Sequence, residues 1–325
     1  MKHIAAAIAL SLALLAAPHA KAADKVRVGI FPLATALPYW VAQERGYFKA
    51  ANLEPEVANL MGSQPIVAAM ITDQIDATTN LVTADAFNAL TKKADLLDYI
   101  SVNCQNAQYP LDAFMIRSAL PMKTIAELKG KASKMVSTPG AGNVTGMRTI
   151  LELNGLKDGT DFTVTELAPN LQVDALRAGS FDVAFVFEPF PTLMADKGVA
   201  RMLEGGVVAT YEVGRKDACG FGAGGAVTQR FVKEKPDVAK RYAAVWRKAL
   251  NDVNNDISTR KLLIGNTATP PELVEKVVMP KLIMVDEMTP QNVKDLQRLF
   301  DYNVERKIFT GQIDVAKYLV TLDKK

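Results

Sequence analysis

The sequence predicts an α/β protein built as two lobes, each an open mixed sheet flanked by helices. Residues 26–57 read as a strand, a loop, a helix and a second strand, an alternation typical of α/β sheets. About 300 residues remain after a predicted signal peptide, which is more than one hydrophobic core usually serves. Two passages about 106 residues apart also repeat one pattern of helix, turn and strand. Together these observations predict two similar lobes.

The amino terminus predicts a signal peptide. A short basic start, residues 1–3, precedes an apolar run over residues 4–17. Ala20 and Ala22 then supply the small residues of a cleavage site, so residues 1–22 read as a signal peptide that is removed. The alternative is a membrane helix, but about 18 or more apolar residues are needed to span a bilayer, and this run is shorter. We therefore expect export to the periplasm.

The signal peptide carries both histidines of the chain, His3 and His19. Their removal excludes Ser–His–Asp and Cys–His catalysis and also histidine-containing zinc sites. Cys104 and Cys219 are too few for a multi-cysteine metal site, so we expect no metal site. An even cysteine count in an exported chain predicts one disulfide between them, with two buried free thiols as the alternative.

The charge of the chain excludes a further class of function. The formal net charge is +3, and removing Lys2 and Lys21 with the signal peptide leaves +1. The sequence has no block of basic residues and no interleaving of basic with aromatic residues, which a nucleic-acid surface would need. It also has no Gly/Ser linker, so we expect ordered crossover strands between the lobes.

The first segment of the mature chain predicts a ligand-binding loop. A strand at residues 26–31 is followed by a loop at residues 32–37. A helix over residues 38–49 and a strand at residues 55–60 come next. Pro38 suits the first turn of a helix, because its missing N–H has no partner there anyway. In an open parallel sheet, ligands bind at loops that follow the carboxyl ends of strands.

The internal repeat predicts a second loop of the same kind. Residues 67–80 and residues 173–186 share a helical pattern, a polar turn, an Ile-Asp or Phe-Asp pair and a strand. Upstream, residues 31–38 correspond to residues 138–145 at a similar separation. The alternative is coincidence between common patterns, although two separate pairs agree in spacing. We therefore expect both loops to face one small molecule.

The strand-to-helix loops of the first half carry hydroxyl or amide side chains. One interpretation is that each side chain only caps its own helix, as Ser, Thr and Asn commonly do. A cap uses only some of the lone pairs of the side chain, so the same residue can also contact a ligand. The residues concerned are Thr35, Ser63, Gln64, Asn80 and Thr83.

The second loop predicts an anion site that needs no lysine or arginine. Gly140 and Gly142 let backbone N–H groups approach a ligand, and the helix that follows adds unpaired donors and partial positive charge. The alternative is an ordinary glycine-rich turn. Further along, residues 181–187 form a continuously apolar strand that ends at Glu188. Ligand binding, a contact between the lobes and capping of the next helix are all open for this carboxylate.

The carboxyl-terminal part predicts packing elements. Residues 219–228 predict a strand that returns beside the strand holding Cys104, an arrangement that suits a disulfide between the two cysteines. Residues 236–256 predict a long amphipathic helix. Two further helices are expected to begin near Thr269 and Thr289.

Taken in order, these motifs resemble periplasmic solute-binding proteins of ABC importers. The nearest group is the nitrate/taurine/alkanesulfonate type, which also includes thiamine-pyrimidine binders. The resemblance covers essentially the whole mature chain and rests on the order of the motifs. The matching segments are residues 28–29, 38–42, 46–48, 53–56, 74–76, 128–131, 175–179, 181–184, 188–190 and 231–238.

The resemblance implies a type II periplasmic binding protein fold, in which two lobes close on a ligand by a hinge motion. It implies a first lobe of residues 23–113 with residues 216–325, and a second lobe of residues 114–215. A monomer that delivers a small molecule to an inner-membrane permease, driven by a separate ATPase, is also implied. By position, the implied ligand-binding residues are Thr35, Tyr39, Ser63, Gln64, Asn80, Thr83, Gly140, Gly142, Asn143, Val144, Thr145, Phe187 and Glu188.

Several functions fit this resemblance. The leading hypothesis is a binding protein, not an enzyme and without a cofactor, for a small anion such as a sulfonate, a carboxylate or nitrate. The alternative ligand is a pyrimidine or thiamine precursor, with Glu188 accepting hydrogen bonds from ring nitrogens. An enzyme of the same fold that synthesises a pyrimidine precursor is an alternative of another class, although its family uses histidine and a cysteine-rich motif, both missing from the mature chain. A sensory or adaptor role also stays open.

Overall fold

The computed structural model describes residues 22–324 of the 325-residue chain. The predicted signal peptide, with His3 and His19, lies outside the described residues apart from Ala22. The strands are β1 (Asp24–Ile30), β2 (Leu53–Asn59), β3 (Ala77–Val82), β4 (Leu97–Tyr99), β5 (Ser101–Cys104), β6 (Asp112–Arg117), β7 (Ser133–Ser137), β8 (Phe162–Glu166), β9 (Val183–Phe187), β10 (Ala200–Gly205), β11 (Ala223–Thr228) and β12 (Lys281–Met284). The α-helices are α1 (Leu37–Glu44), α2 (Tyr47–Ala50), α3 (Ser63–Ile71), α4 (Thr83–Leu90), α5 (Ala141–Leu153), α6 (Pro169–Arg177), α7 (Phe190–Asp196), α8 (Gln229–Glu234), α9 (Pro236–Asn255) and α10 (Pro290–Glu305).

The first sheet has five strands in the order β2-β1-β3-β11-β4. Strand β1 runs parallel to β2 and β3, whereas β11 is antiparallel to β3 and β4. Strand β11 therefore joins this sheet from a distant part of the chain. The sheet is mixed, as the sequence predicts.

The second sheet repeats this arrangement, with the strand order β10-β6-β9-β7-β8. Strand β7 is parallel to β8 and β9, and β6 is antiparallel to β9 and β10. Read from the other edge, β8-β7-β9-β6-β10 corresponds place by place to β2-β1-β3-β11-β4. Strands β3 and β9, which end the two repeated passages, occupy the same position in their sheets. The internal repeat is thus a repeat of topology.

The chain crosses between the sheets twice. It leaves the first sheet after β4, passes through β5, which pairs with β12 in a separate two-stranded sheet, and returns to the first sheet at β11. The first sheet is formed by residues 24–99 and 223–228, and the second by residues 112–205. The lobe boundaries at residues 113/114 and 215/216 stay our proposal.

The long helix α9 packs against the first sheet. Its predicted apolar stripe includes Val238, Tyr242 and Ala249, which are buried in one core with residues of β1. The Trp246 indole N–H also donates to Ser101 Oγ at 2.8 Å. Burial of this stripe holds the helix, because removing apolar surface from water is the main favourable term in folding. Among residues 22–324, no helix has both the length and the apolar character needed to cross a membrane.

Two predicted helices differ from the structure. The helix expected over residues 38–49 is divided into α1 and α2, because Gly46 adopts a left-handed conformation with φ of 68° between them. The helix expected near Thr269 is only one 3₁₀ turn, Pro271–Leu273. The chain then continues through turns and irregular residues to β12, which begins at Lys281.

The predicted disulfide is confirmed. Cys104 ends β5 and Cys219 precedes β11, and their Cα atoms are 4.7 Å apart. The next residues also pair, because the Gly220 N–H donates to the Gln105 carbonyl oxygen at 2.8 Å. The disulfide therefore joins the two points at which the chain leaves the first sheet and comes back to it.

Candidate functional site

Two small cavities lie where loops from the two sheets meet. The loop after β1 contacts the end of β9, because the Ala34 N–H donates to the Glu188 carbonyl oxygen at 3.3 Å. Helix α5 meets α4, because the Gly142 N–H donates to Asp85 Oδ1 at 3.2 Å. The cavities beside these contacts have volumes of about 30 and 40 Å³, and a cavity needs roughly 10–15 Å³ on this measure to hold one water. A larger solute therefore requires the two sheets to move apart.

The lining of the cavities comes from both sheets. The residues that line both cavities are Val82, Gln105, Asn143, Phe187 and Gly222. The first cavity adds Phe31, Leu33, Thr35, Asn80, Leu111 and Ala223. The second cavity adds Thr83, Ala84, Gly142, Gly146, Phe185, Val208, Glu212 and Leu299. Among residues 22–324, no lysine or arginine lines either cavity.

Asn80 fixes the loop after β1. Its side-chain amide donates to the Phe31 carbonyl oxygen at 2.8 Å and to Thr35 Oγ1 at 3.0 Å. Its Oδ1 accepts from the Phe31 N–H at 3.2 Å and from Thr79 Oγ1 at 2.7 Å. Both donors and the acceptor are thus engaged with protein. We infer that Asn80 positions the binding loop, while the Thr35 hydroxyl keeps a proton to donate.

Thr83 holds the start of α4 against the approach to β11. Its hydroxyl donates to the Phe221 carbonyl oxygen, and its N–H donates to the Gly222 carbonyl oxygen at 3.0 Å. A Cβ at Gly222 would lie 2.8 Å from Gln105 Nε2, so glycine is required where the backbone passes this amide. These contacts bring the segment before β11 to the cavity wall.

The amino terminus of α5 is capped by a carboxylate from the opposite sheet. Asp85 is 7% exposed, and its Oδ1 accepts from the Gly142 N–H. Burial raises the pKa of Asp85, and the Gly142 N–H and the Ser63 hydroxyl oppose that rise. The Asn143 side chain is also engaged, because its amide donates to the Pro139 carbonyl oxygen at 3.0 Å. A donor that the sequence assigns to a bound anion is therefore occupied by Asp85.

The side-chain amide of Gln105 is buried, and its nitrogen is hydrogen-bonded to the protein whereas its oxygen is not. Its Nε2 donates to Asp112 Oδ1 at 2.8 Å, and the Val208 N–H donates to Asp112 Oδ2 at 3.1 Å. Its Oε1 is buried and has no hydrogen-bond partner. Asp112 is fully buried, and this burial raises its pKa. The Asp112 contact orients the Gln105 amide.

Glu212 contributes a carboxyl group to the second cavity. It lies in a π-helical turn, Val208–Val213, and is 7% exposed. Burial and the nearby Asp112 carboxylate raise the pKa of Glu212 to about 8, against a smaller opposing effect of the Asn303 side chain. A Cβ at Gly146 would lie 2.9 Å from Glu212 Oε1. The glycine in α5 therefore makes room for this carboxyl group.

Glu188 does not line either cavity. It is 1% exposed, and its Oε1 accepts from the Thr192 hydroxyl of α7 at 2.9 Å, while Oε2 has no partner. Burial raises its pKa to about 8. The Thr192 hydroxyl also lies 3.5 Å from the Lys276 carbonyl oxygen. Among the roles that the sequence leaves open, this geometry favours support of α7 and of the contact between the sheets.

The structure brings only some of the predicted site residues to the cavities. Those that line a cavity are Thr35, Asn80, Thr83, Gly142, Asn143 and Phe187. Tyr39 instead lies in the core, with its ring centroid 5.4 Å from that of Phe48. Gln64 is exposed, and Ser63 is buried beside Asp85. The remaining residues, which line neither cavity, are Gly140, Val144, Thr145 and Glu188.

Three polar residues of the site are missed by sequence reasoning. Asp85 stands in the first turn of its own helix, where an acid is ordinary, so no signal marks it. Gln105 follows Cys104 directly, and the predicted return of β11 beside this cysteine is a signal that could have found it. Glu212 is the one acid within Val208–Val213, a mostly apolar segment. Within residues 22–324, no group of three or more His, Cys, Asp or Glu side chains is arranged to hold a metal ion.

Comparisons with known proteins place the chain in a family and a fold. A family model described as the NMT1-like family matches residues 19–264. No curated protein matches the chain by sequence. The alkanesulfonate-binding protein SsuA from Xanthomonas axonopodis pv. citri, bound to MOPS, has 19% identity and a TM-score of 0.73, and the alignment covers 92% of this chain and 99% of that one.

Two further solved structures agree. The periplasmic aliphatic sulphonate binding protein SsuA from Escherichia coli has 15% identity and a TM-score of 0.70, with 92% of both chains covered. The periplasmic nitrate-binding protein NrtA from Synechocystis PCC 6803 has 14% identity and a TM-score of 0.72, with 91% of this chain and 85% of that one covered. At these identities the likeness is one of fold, and it confirms the type II periplasmic binding protein architecture.

Proposed function

The chain belongs to the NMT1-like family, and from this premise we propose that it is the solute-binding component of an ABC importer, exported to the periplasm. The fold that it shares with solved sulfonate-binding and nitrate-binding proteins supports this proposal. In this role the two lobes part to admit a small molecule and close on it as a monomer. They then present it to an inner-membrane permease that a separate ATPase drives.

We propose that the solute carries no net negative charge. One observation carries this proposal: the Gly142 N–H at the start of α5, which the sequence assigns to an anion, donates to the Asp85 carboxylate. The Glu212 carboxyl group lines the second cavity, and no lysine or arginine among residues 22–324 lines either cavity. A sulfonate, a carboxylate or nitrate would bring a negative charge into a desolvated site that offers carboxyl groups and no lining cation, and burial of an unpaired charge is unfavourable.

The pyrimidine alternative suits the lining better. Phe31 and Phe187 offer aromatic surface for the faces of a planar ring. The Gln105 amide and the Thr35 hydroxyl offer hydrogen-bonding groups for its edge. Glu188 lines neither cavity, so it is not placed to accept hydrogen bonds from a pyrimidine ring. We assign this acceptor role to Gln105 and Glu212 instead. We therefore propose a small neutral or cationic nitrogen heterocycle as the ligand class.

A thermal-shift screen of pyrimidines, sulfonates, carboxylates and nitrate tests this function. We expect one strong stabiliser, and we expect it among the pyrimidines. A ligand at 100 times its Kd adds about 2.7 kcal/mol to the free energy of unfolding. The absence of any stabiliser in all four classes would contradict solute binding, and a stabiliser among the anions would contradict the ligand class.

A matched pair of variants locates the binding. Phe187 ends β9 and lines both cavities, whereas Phe181 precedes the same strand and lines neither. Both rings are partly buried, so each change to alanine removes similar packing. We expect Phe187→Ala to abolish most of the stabilisation by the screen's best ligand and Phe181→Ala to retain it. Equal effects of the two changes would place the binding elsewhere.

Export has its own test. Signal cleavage after Ala22 leaves Ala23 as the first residue of the mature protein. Amino-terminal sequencing of protein recovered from the periplasm should begin at Ala23. Recovery of the uncleaved chain in the cytoplasmic fraction would contradict the proposed location.

A further inference from the structure

The second cavity is lined by a buried hydrogen-bond acceptor that the protein leaves unpaired. Gln105 is 1% exposed, and its Oε1 has no hydrogen-bond partner, although the side chain lines both cavities. Its amide nitrogen is committed to Asp112. Buried polar atoms are nearly always paired with protein, water or ligand. An unpaired oxygen at a cavity wall therefore points to a donor from outside the protein.

The titratable groups around this oxygen are all carboxyl groups. Glu212 lines the same cavity, and Asp112 accepts a hydrogen bond from the Gln105 amide. Asp85 accepts a hydrogen bond from the N–H of Gly142, which also lines this cavity. In the part of the chain that the structure describes, no lysine or arginine side chain lines this cavity to offset these groups.

We propose that the second cavity binds the amidine or amine group of the solute, with Gln105 Oε1 and the Glu212 carboxylate as its acceptors. This inference rests on the proposed function and adds the chemical group that is recognised. An amidine carries N–H donors on the two nitrogens of one carbon, so a single amidine group donates hydrogen bonds to both acceptors. Its positive charge also compensates the carboxylates around the cavity.

The ionisation of Glu212 agrees with this proposal. Burial and the Asp112 carboxylate raise the pKa of Glu212 to about 8. An opposite charge within a few ångströms favours the ionised form of a carboxyl group. A bound cation therefore stabilises the charge that burial alone disfavours, and the neighbouring Asp112 carboxylate adds to the attraction.

Three probes of nearly the same size and shape distinguish recognition of charge from recognition of shape. Benzamidine is a cation with N–H donors, benzamide is neutral, and benzoate is an anion that only accepts hydrogen bonds. The cavity of about 40 Å³ admits a ring only when the two sheets move apart, and its apolar lining, which includes Phe185, Phe187 and Leu299, then contacts the common phenyl ring. In thermal-shift and calorimetric titrations at equal concentrations, we expect benzamidine to bind most tightly, benzamide more weakly and benzoate not at all.

Variants then assign the acceptor. Glu212→Gln removes the charge at nearly constant volume, and we expect a loss of benzamidine affinity of about tenfold or more, because hydrogen bonds to ionised groups are the strong ones. Asp174→Asn is the control, since it removes one carboxylate charge on α6 from a side chain that is 76% exposed. Should Glu212→Gln fold poorly, Gly146→Ala replaces it. Its new Cβ displaces the Glu212 carboxyl group while favouring the helix, and we expect the same weakening.

The outcomes separate this inference from the proposed function. Benzamidine preference that is lost in Glu212→Gln, or in Gly146→Ala, and kept in Asp174→Asn supports the inference. Equal or tighter binding of benzoate overturns it, and so does benzamidine affinity that neither variant changes. Lack of benzamidine binding also overturns it. The proposed solute binding still stands in that case if the broader screen finds a stabiliser whose effect is lost in Phe187→Ala.

Discussion

A single added methyl group at Gly142 should weaken ligand binding by obstructing closure. Gly142 lies in the first turn of α5 and Ala84 in the first turn of α4. A Cβ at position 142 would lie 2.9 Å from Ala84 Cβ. Non-bonded carbons prefer about 3.5–4.0 Å, so the two helices must separate by roughly 0.6–1.1 Å. Neither methyl group has a rotamer that would relieve the contact.

The cost of this contact falls on the closed form of the protein. Overpacking of this kind typically costs about 1–3 kcal/mol. A change that disfavours only the binding-competent state lowers the apparent affinity by the same free energy. At about 1.4 kcal/mol per factor of ten, we expect Gly142→Ala to weaken binding about 5- to 150-fold. The fold itself should not be weakened, because alanine favours the helix more than glycine does.

A second substitution, Ala84→Gly, tests whether this contact is the cause of the weaker binding. In the Ala84→Gly/Gly142→Ala protein the methyl group has moved to the other helix, so the contact distance is restored. Calorimetric titration with the strongest stabiliser from the screen should give near wild-type affinity for this double variant. Undiminished affinity in Gly142→Ala, or a double variant as weak as the single one, would refute closure through this contact.

Two further predictions concern stability. The disulfide closes a segment with a sequence separation of 115 residues, so Cys104→Ala/Cys219→Ala should lower the free energy of unfolding by up to about 5 kcal/mol through greater freedom of the unfolded chain. Urea unfolding with and without a reductant measures this, and a reductant should affect the wild type but not the variant; a loss below about 1 kcal/mol would contradict the entropic account. Burial raises the pKa of Glu188 from 4.5 to about 8, so the folded protein keeps a proton that the unfolded chain releases. This contribution to stability is complete below pH 4.5 and is lost as the pH rises towards 8. Glu188→Gln keeps an acceptor for Thr192 and should therefore reduce the loss of unfolding free energy between pH 5 and pH 8, by about 2 kcal/mol or more at about 1.4 kcal/mol per pKa unit. Identical losses in both proteins would contradict burial of the ionisable form.

Elements whose pattern is local could be predicted from the sequence. The apolar stripe of α9 repeats with the helical period, and the expected residues 236–256 differ from the observed Pro236–Asn255 by one position. The repeated passages predict β3 and β9, because each strand is specified by a few consecutive apolar residues. The disulfide follows from an even cysteine count and from the expected return of β11 beside the strand of Cys104. Each of these inferences needs only neighbouring residues, or one rule of chain topology.

The site was predicted only in part, because its contacts join residues that are distant in the chain. Asp85 and Gly142 are 57 positions apart, and their hydrogen bond depends on how one sheet faces the other. Packing of α9 with the first sheet buries Tyr39 in the core, and the approach of the two sheets brings Gln105 and Glu212 to one cavity. Sequence patterns alone predict two mixed α/β sheets, their repeat and the loops that meet between them. The Asp85 carboxylate at the amino terminus of α5 is visible only in the folded protein. Burial and proximity in space, rather than local pattern, determine which polar groups remain available to a ligand.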